Sequence, residues 1–113
     1  MKMQYNQKKF VSVSNTKNGT VSDATTFTYY QEGDVIWADY SGGDILKGHL
    51  IGTVDANGHL TFVYHHLNQK KEIQTGKCFS TPEILPDGRI RLVEKWQWTS
   101  GDQSKGESII EEI

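Results

Sequence analysis

Clusters of turn-forming residues divide this chain at short, regular intervals, and no other feature restricts its fold as strongly. They are Asn18-Gly19, Glu32-Gly33-Asp34, Ser41-Gly42-Gly43-Asp44, Asp55-Ala56-Asn57-Gly58, Asn68-Gln69-Lys70, Pro86-Asp87-Gly88 and Ser100-Gly101-Asp102. Each cluster supplies residues that accept a positive φ or bond their own backbone. The segments between them are rich in Val, Ile, Thr, Tyr, Phe and Trp. Spacing of this kind predicts an all-β chain of short antiparallel strands. No stretch of about 11 residues holds a helical period, because glycines interrupt it and β-branched or aromatic residues fill it.

The predicted strands are 8–14, 24–31, 34–41, 44–55, 59–67, 71–81, 88–99 and 105–112. Turn type then fixes register. A three-residue loop with Gly58 at the left-handed position pairs Val54 with Leu60, Gly52 with Phe62, Leu50 with Tyr64 and Gly48 with His66. Pro86-Asp87-Gly88 pairs Ser80 with Glu94, Cys78 with Trp96 and Gly76 with Trp98, unless a bulge near Pro82 shifts the register. A two-residue turn at Gly42-Gly43 pairs Asp39 with Leu46 and Trp37 with Gly48, which lays the indole over a residue without a side chain. Two glycines inside one long strand, Gly48 and Gly52, favour strong coiling. A long coiled meander removes both edges by closing on itself, so the expected architecture is an up-and-down antiparallel barrel.

Composition narrows the class further. The chain of 113 residues is expected to form one domain, with residues 1–7 frayed. Its uncharged apolar runs fall far short of the ~20 residues a membrane helix needs. The first ten residues contain no apolar stretch of signal-peptide type, so a cytoplasmic location is expected. With 12 Lys+Arg against 14 Asp+Glu there is no basic excess to hold nucleic acid. The single Cys excludes an intrachain disulfide and a thiolate-rich metal site. His65 and His66 are adjacent, so on a strand they face opposite ways. No metal or cofactor is expected.

The predicted interior is unusually polar. Trp37, Asp39, Tyr64, His66, Glu94, Trp96 and Trp98 fall on the inward stripes, with Cys78 and Ser80 between them. Tyr30, Thr28 and Thr26 join them if the turn after Glu32 is a two-residue loop. In that register Phe27 and Tyr29 lie outside, as a patch for self-association into a homodimer; a slip of one residue exchanges the two sets. Buried polar groups must pair with one another or face a cavity. An eight-stranded barrel leaves space for side chains or for one small ligand. Aromatic walls with a few convergent polar groups are what small-molecule pockets use.

Three functions are compatible with this interior. The leading one is binding of an unidentified small molecule between Trp37, Asp39, Tyr64, His66, Glu94, Trp96 and Trp98. The second is an enzyme working through Glu94, Asp39 or His66, with Asp39 and Glu94 as an acid/base pair or Cys78 and His66 as nucleophile and base. The third is a non-catalytic interaction domain. The plainer alternatives are that Trp96 and Trp98 plug a packed core, that Glu94 and Asp39 sit at the rim, and that the polar loop 100–106 is a solvated connection rather than a lid. No G-x-S-x-G elbow, phosphate-binding G-x-x-x-x-G-K-[ST] loop or H-E-x-x-H helix is present.

Several segments together resemble a family of small bacterial β-proteins whose members often carry the name N-acetylglutamate synthase. They are Ser12-Val13-Ser14-Asn15-Thr16 with Asn18-Gly19, Tyr40-Ser41-Gly42-Gly43, Gly48-x-Leu50-Ile51-Gly52, Tyr64-His65-His66, Leu85-Pro86-Asp87-Gly88, Glu94-x-Trp96-Gln97-Trp98 and Gly106-x-Ser108-Ile109-Ile110. The resemblance spans nearly the whole chain and brings no established catalytic residues with it. That name implies acetyl transfer from acetyl-CoA, which needs a [RQ]-x-x-G-x-[GA] loop at a helix N-terminus to hold the pyrophosphate. The chain contains neither the loop nor a predicted helix. In architecture the predicted barrel is similar to lipocalins or avidin.

Overall fold

The computed structural model describes residues 4–113. Eight strands follow one another in the order β1 (Lys8–Asn15), β2 (Thr26–Glu32), β3 (Val35–Gly42), β4 (Ile45–Val54), β5 (Leu60–Asn68), β6 (Ile73–Ile84), β7 (Ile90–Trp98) and β8 (Lys105–Glu112). Each strand pairs antiparallel with the next, and β1 also pairs with β8, so the sheet closes. Closure leaves no row of unpaired backbone groups along an edge. The meander and its barrel are those the turn spacing predicts. Among the described residues no helix is long and apolar enough to cross a membrane.

Register follows the turn arithmetic in β4 through β7. Val54 faces Leu60, Gly52 faces Phe62, Leu50 faces Tyr64 and Gly48 faces His66. Gly58 takes φ of 86° at the predicted left-handed position. Ser80 faces Glu94, Cys78 faces Trp96 and Gly76 faces Trp98, and the ladder runs past Pro82 without a bulge. Ile90, Leu92, Glu94, Trp96 and Trp98 therefore share the inner face, and all are buried.

Register departs from expectation on β3 and β2. The turn centres on Gly43-Asp44, and opposite the step from Tyr40 to Gly42 a bulge at Leu46-Lys47 inserts one residue into β4. One extra residue reverses every side chain beyond it. Ile36, Ala38 and Tyr40 face the lumen, while Trp37 and Asp39, both expected inside, face outward. Trp37 stacks on Tyr30 with ring centroids 5.9 Å apart. Asp39 is exposed, and its Oδ1 lies 2.9 Å from Nδ1 of His49.

The Gly33-Asp34 turn is a two-residue loop, with Glu32 opposite Val35, so β2 inherits the reversal. Phe27 and Tyr29 are core, and Thr26, Thr28 and Tyr30 are not. The outward patch expected of Phe27 and Tyr29 is instead made by Val35, Ile51, Val63 and Phe79, each at least 40% exposed. The same bulge shifts the β4–β5 register between Ile45 and Lys47 and buries Ile45 in place of Leu46.

The two ends of the barrel are closed differently. At the end holding the β2–β3, β4–β5 and β6–β7 turns, the N-terminal segment folds underneath. Gln7 takes φ of 62°, its N–H donates to Tyr29 O, and Tyr5 turns inward. Met1–Met3 lie outside the described residues; Tyr5, within the segment expected to fray, is fully buried. Its hydroxyl donates to Gly58 O. Phe10, Tyr29, Ile36, Leu60, Leu92 and Ile110 complete an apolar floor, each without accessible surface. The other end is the mouth.

Candidate functional site in the barrel lumen

Above the floor the wall changes character, because large rings there lie opposite glycines. Tyr40 pairs across strands with Gly48, Tyr64 with Gly76 and Trp96 with Gly106. A Cβ at any of these glycines would collide with the partner ring. Each ring thus lies back against its neighbour strand instead of projecting to the barrel axis, and the lumen stays open. The two-residue turn read at Gly42-Gly43 predicts one such pair at Gly48. The ring that covers it is Tyr40 and not Trp37, since the β4 bulge exchanges them.

The rings enclose a cavity of about 50 Å³. That is room for roughly four ordered waters at about 10–15 Å³ each. The rings meet edge to face: Trp96 and Trp98 with centroids 5.4 Å apart, Tyr64 and Trp98 5.8 Å, and His66 and Trp98 5.8 Å. Such contacts hold rings in fixed orientations. Tyr64, His66, Glu94, Trp96 and Trp98 all line the cavity, as expected of them; Trp37 and Asp39 do not.

A polar row crosses this aromatic wall. Asn15 on β1 faces Ser108 on β8, Ser108 faces Glu94 on β7, and Glu94 faces Ser80 on β6. Ser108 Oγ donates to Glu94 Oε1 and Ser80 Oγ donates to Oε2, both at 3.0 Å. Burial pushes the Glu94 carboxyl up to about 7, against the two hydroxyls, which favour its charged form. Among the described residues no cation pairs with it. The amide of Asn15 donates to Val21 O at 2.9 Å, which fixes its orientation and leaves its buried Oδ1 without a partner.

A second polar chain closes the mouth. Tyr40 Oη lies 2.9 Å from His66 Nδ1, and His66 Nε2 lies 2.8 Å from Gln74 Oε1. Gln74 Oε1 can only accept, so Nε2 carries the proton and Tyr40 donates to Nδ1. Burial lowers the His66 pKa, which matches this neutral tautomer. Thr20 Oγ1 also donates to Gln74 Oε1, at 2.9 Å. Thr20 belongs to the β1–β2 loop, which lies across the mouth and lines the cavity with Gly19, Thr20 and Val21. Trp98 Nε1 donates to Asn18 O, and the Asn18 amide donates to Ser104 Oγ and Lys105 O, which pins the loop down. The cover is therefore residues 16–25, and the 100–106 loop expected as a possible lid serves as its brace.

The catalytic pairs considered from sequence are not assembled. Asp39 is outside the barrel, so Asp39 and Glu94 are not a pair. Both His66 nitrogens are engaged, by Tyr40 and Gln74 and not by Cys78. Cys78 Sγ lies 3.7 Å from Ser80 Oγ, and burial pushes its thiol well above the ordinary range, so it is no thiolate nucleophile. Among the described residues no cluster of three His, Cys, Asp or Glu is arranged to hold a metal ion. Asn15, Thr20, Tyr40 and Ser108 are cavity residues not among the predicted inward set, and Phe27, expected outside, lines the cavity as well. Strand alternation signals Phe27 and Tyr40, since each lies on the less polar stripe of its strand, and Asn15 and Ser108 fall inside the segments that carry the family resemblance.

Comparison with known proteins agrees with this architecture. No characterised protein and no solved structure matches the chain significantly. The family model described as avidin-like protein matches residues 3–113, nearly the entire length. With its closed eight-stranded meander and its aromatic lumen, this chain belongs to the avidin-like protein family.

Proposed function

We propose that the protein binds a small molecule in the lumen between Tyr40, Tyr64, Glu94, Trp96 and Trp98, under the loop 16–25. The single observation that carries this reading is the set of rings laid against glycines. A core built only for stability is packed at close to crystal density, whereas these pairs keep a space at the centre. The few polar groups facing that space converge from several strands, as in ligand pockets generally. Beyond Thr16, whose N–H donates to Glu107 O, the loop across the mouth is held to β6, β7 and β8 by hydrogen bonds that each involve a side chain.

Tryptophan emission tests the reading directly. Trp37→Phe removes the one indole outside the lumen and leaves Trp96 and Trp98 as reporters. We expect at least one of imidazole, indole, nicotinamide and benzamide to change the emission of this variant saturably and to raise its Tm. If none does at millimolar concentration, and Tyr64→Ala alters nothing but stability, the lumen is packing only. Self-association is a second reading, favoured by the exposed outer residues Val35, Ile51, Val63 and Phe79. Light scattering across a concentration series tests it, and a monomer at all concentrations rejects it.

A further inference from the structure

The polar row leads from binding in general to a class of ligand, and the argument rests on the binding reading above. The oxygens of Glu94 and Asn15 offer the cavity acceptors. Both Glu94 oxygens accept from serines and have lone pairs left over. Asn15 Oδ1 accepts from nothing, while one N–H of its amide is spent on Val21. No lysine or arginine lines the cavity. His66, the one base there, is held neutral with both nitrogens bonded. Asn15 and Glu94 stand two strands apart in one register row, about 10 Å by strand spacing. Their side chains lean into the same small space. Among the rings that line it, an aromatic face attracts a cation, whereas an edge does not.

We infer that the lumen takes the head group of a small organic cation bearing N–H donors, an amidinium, guanidinium or compact ammonium, with Glu94 as its counter-ion and Asn15 Oδ1 as second acceptor. A cavity of about 50 Å³ limits the buried part to a few heavy atoms. Any larger body extends under the loop 16–25.

Acetamidinium and acetamide have the same shape and differ in charge, so they separate this inference from binding in general. Nuclear magnetic resonance titration of the Trp96 and Trp98 indole N–H groups gives both affinities. We expect acetamidinium to bind at least tenfold more tightly than acetamide at pH 7.5. Glu94→Gln removes that preference, so that acetamidinium binds it no more tightly than acetamide does. A second reading needs no variant. With saturating acetamidinium the Glu94 carboxyl carbon titrates at least one pH unit lower, and with acetamide it does not move. The groups around Glu94 do not obscure this, because Tyr29, Tyr40, Tyr64 and Cys78 are all pushed upward and His66 downward by burial. Equal binding of the two probes overturns the cation class and leaves the binding site standing. Failure of both probes to bind also overturns the class, and the emission experiment above then decides whether the lumen binds anything.

Discussion

Glu94 is the residue with the largest consequences. Its carboxyl keeps its proton to about pH 7 in the folded barrel against an ordinary value of 4.5. The folded state therefore binds more protons than the unfolded state between those values, and stability falls as pH rises through that window. The loss is of order 3 kcal/mol when complete. Urea unfolding at pH 5 and pH 8 should show the decline, and Glu94→Gln should abolish it and be the more stable protein at pH 8. Cys78 gives a simpler expectation. Its thiol is buried and held protonated, so a thiol reagent such as iodoacetamide should label the native protein only at the rate at which it opens, and the urea-unfolded protein at once. Both side chains were placed correctly from sequence, because they lie on strands whose register depends on simple turns. Their titration was not legible there, since it depends on what the other strands bring alongside.

At the scale of the strands, the glycine–ring pairs set the shape of the lumen. Gly48→Ala would force the Tyr40 ring toward the axis, at a cost of about 1–3 kcal/mol. Gly52→Ala should cost more than Gly48→Ala, because the added methyl meets the Thr61 carbonyl and the Phe62 backbone, which cannot swing aside. Chemical denaturation of the two variants checks the order, and equal losses would mean that the sheet yields as easily as a side chain. The same scale shows where sequence reading fails. Counting residues outward from Gly42-Gly43 put Trp37 and Asp39 inside. Reading β3 by its own alternation gives Ile36, Ala38 and Tyr40, a stripe without charge, and reading β2 that way gives Phe27 and Tyr29. Turn arithmetic carries a bulge error into every later strand, whereas polarity alternation is tested afresh in each one. The bulge is hard to foresee because Gly42 and Gly43 permit several turns, and the choice is made by packing. A Cβ at Gly42, which has φ of 115°, would strike the Ala24 carbonyl of a distant loop.

Over the whole molecule, one end is a structural plug and the other a cover, and the two should respond differently to mutation. Tyr5→Ala empties the floor and should lower stability by about 3–5 kcal/mol by denaturant titration, with the lumen tryptophans little changed in emission. Thr20→Val breaks the bond to Gln74 that holds the cover to β6. It should change global stability by no more than about 1 kcal/mol, while amide exchange in residues 16–25 rises well above that of β4 to β7. Exchange as slow as in those strands would show that the cover is part of the core. What the sequence determined by itself was the number of strands, their order, the register of β4 through β7 and the inward stripe from Ile90 to Trp98. Turn chemistry and side-chain alternation are local, so each can be read from a few neighbouring residues. Tertiary structure alone decided the β4 bulge, the burial of Tyr5 beneath the barrel, the cover made by residues 16–25 and the extension of the polar row from Glu94 to Asn15. Each of these joins residues far apart in the chain, and only closure of the sheet sets the distance between them.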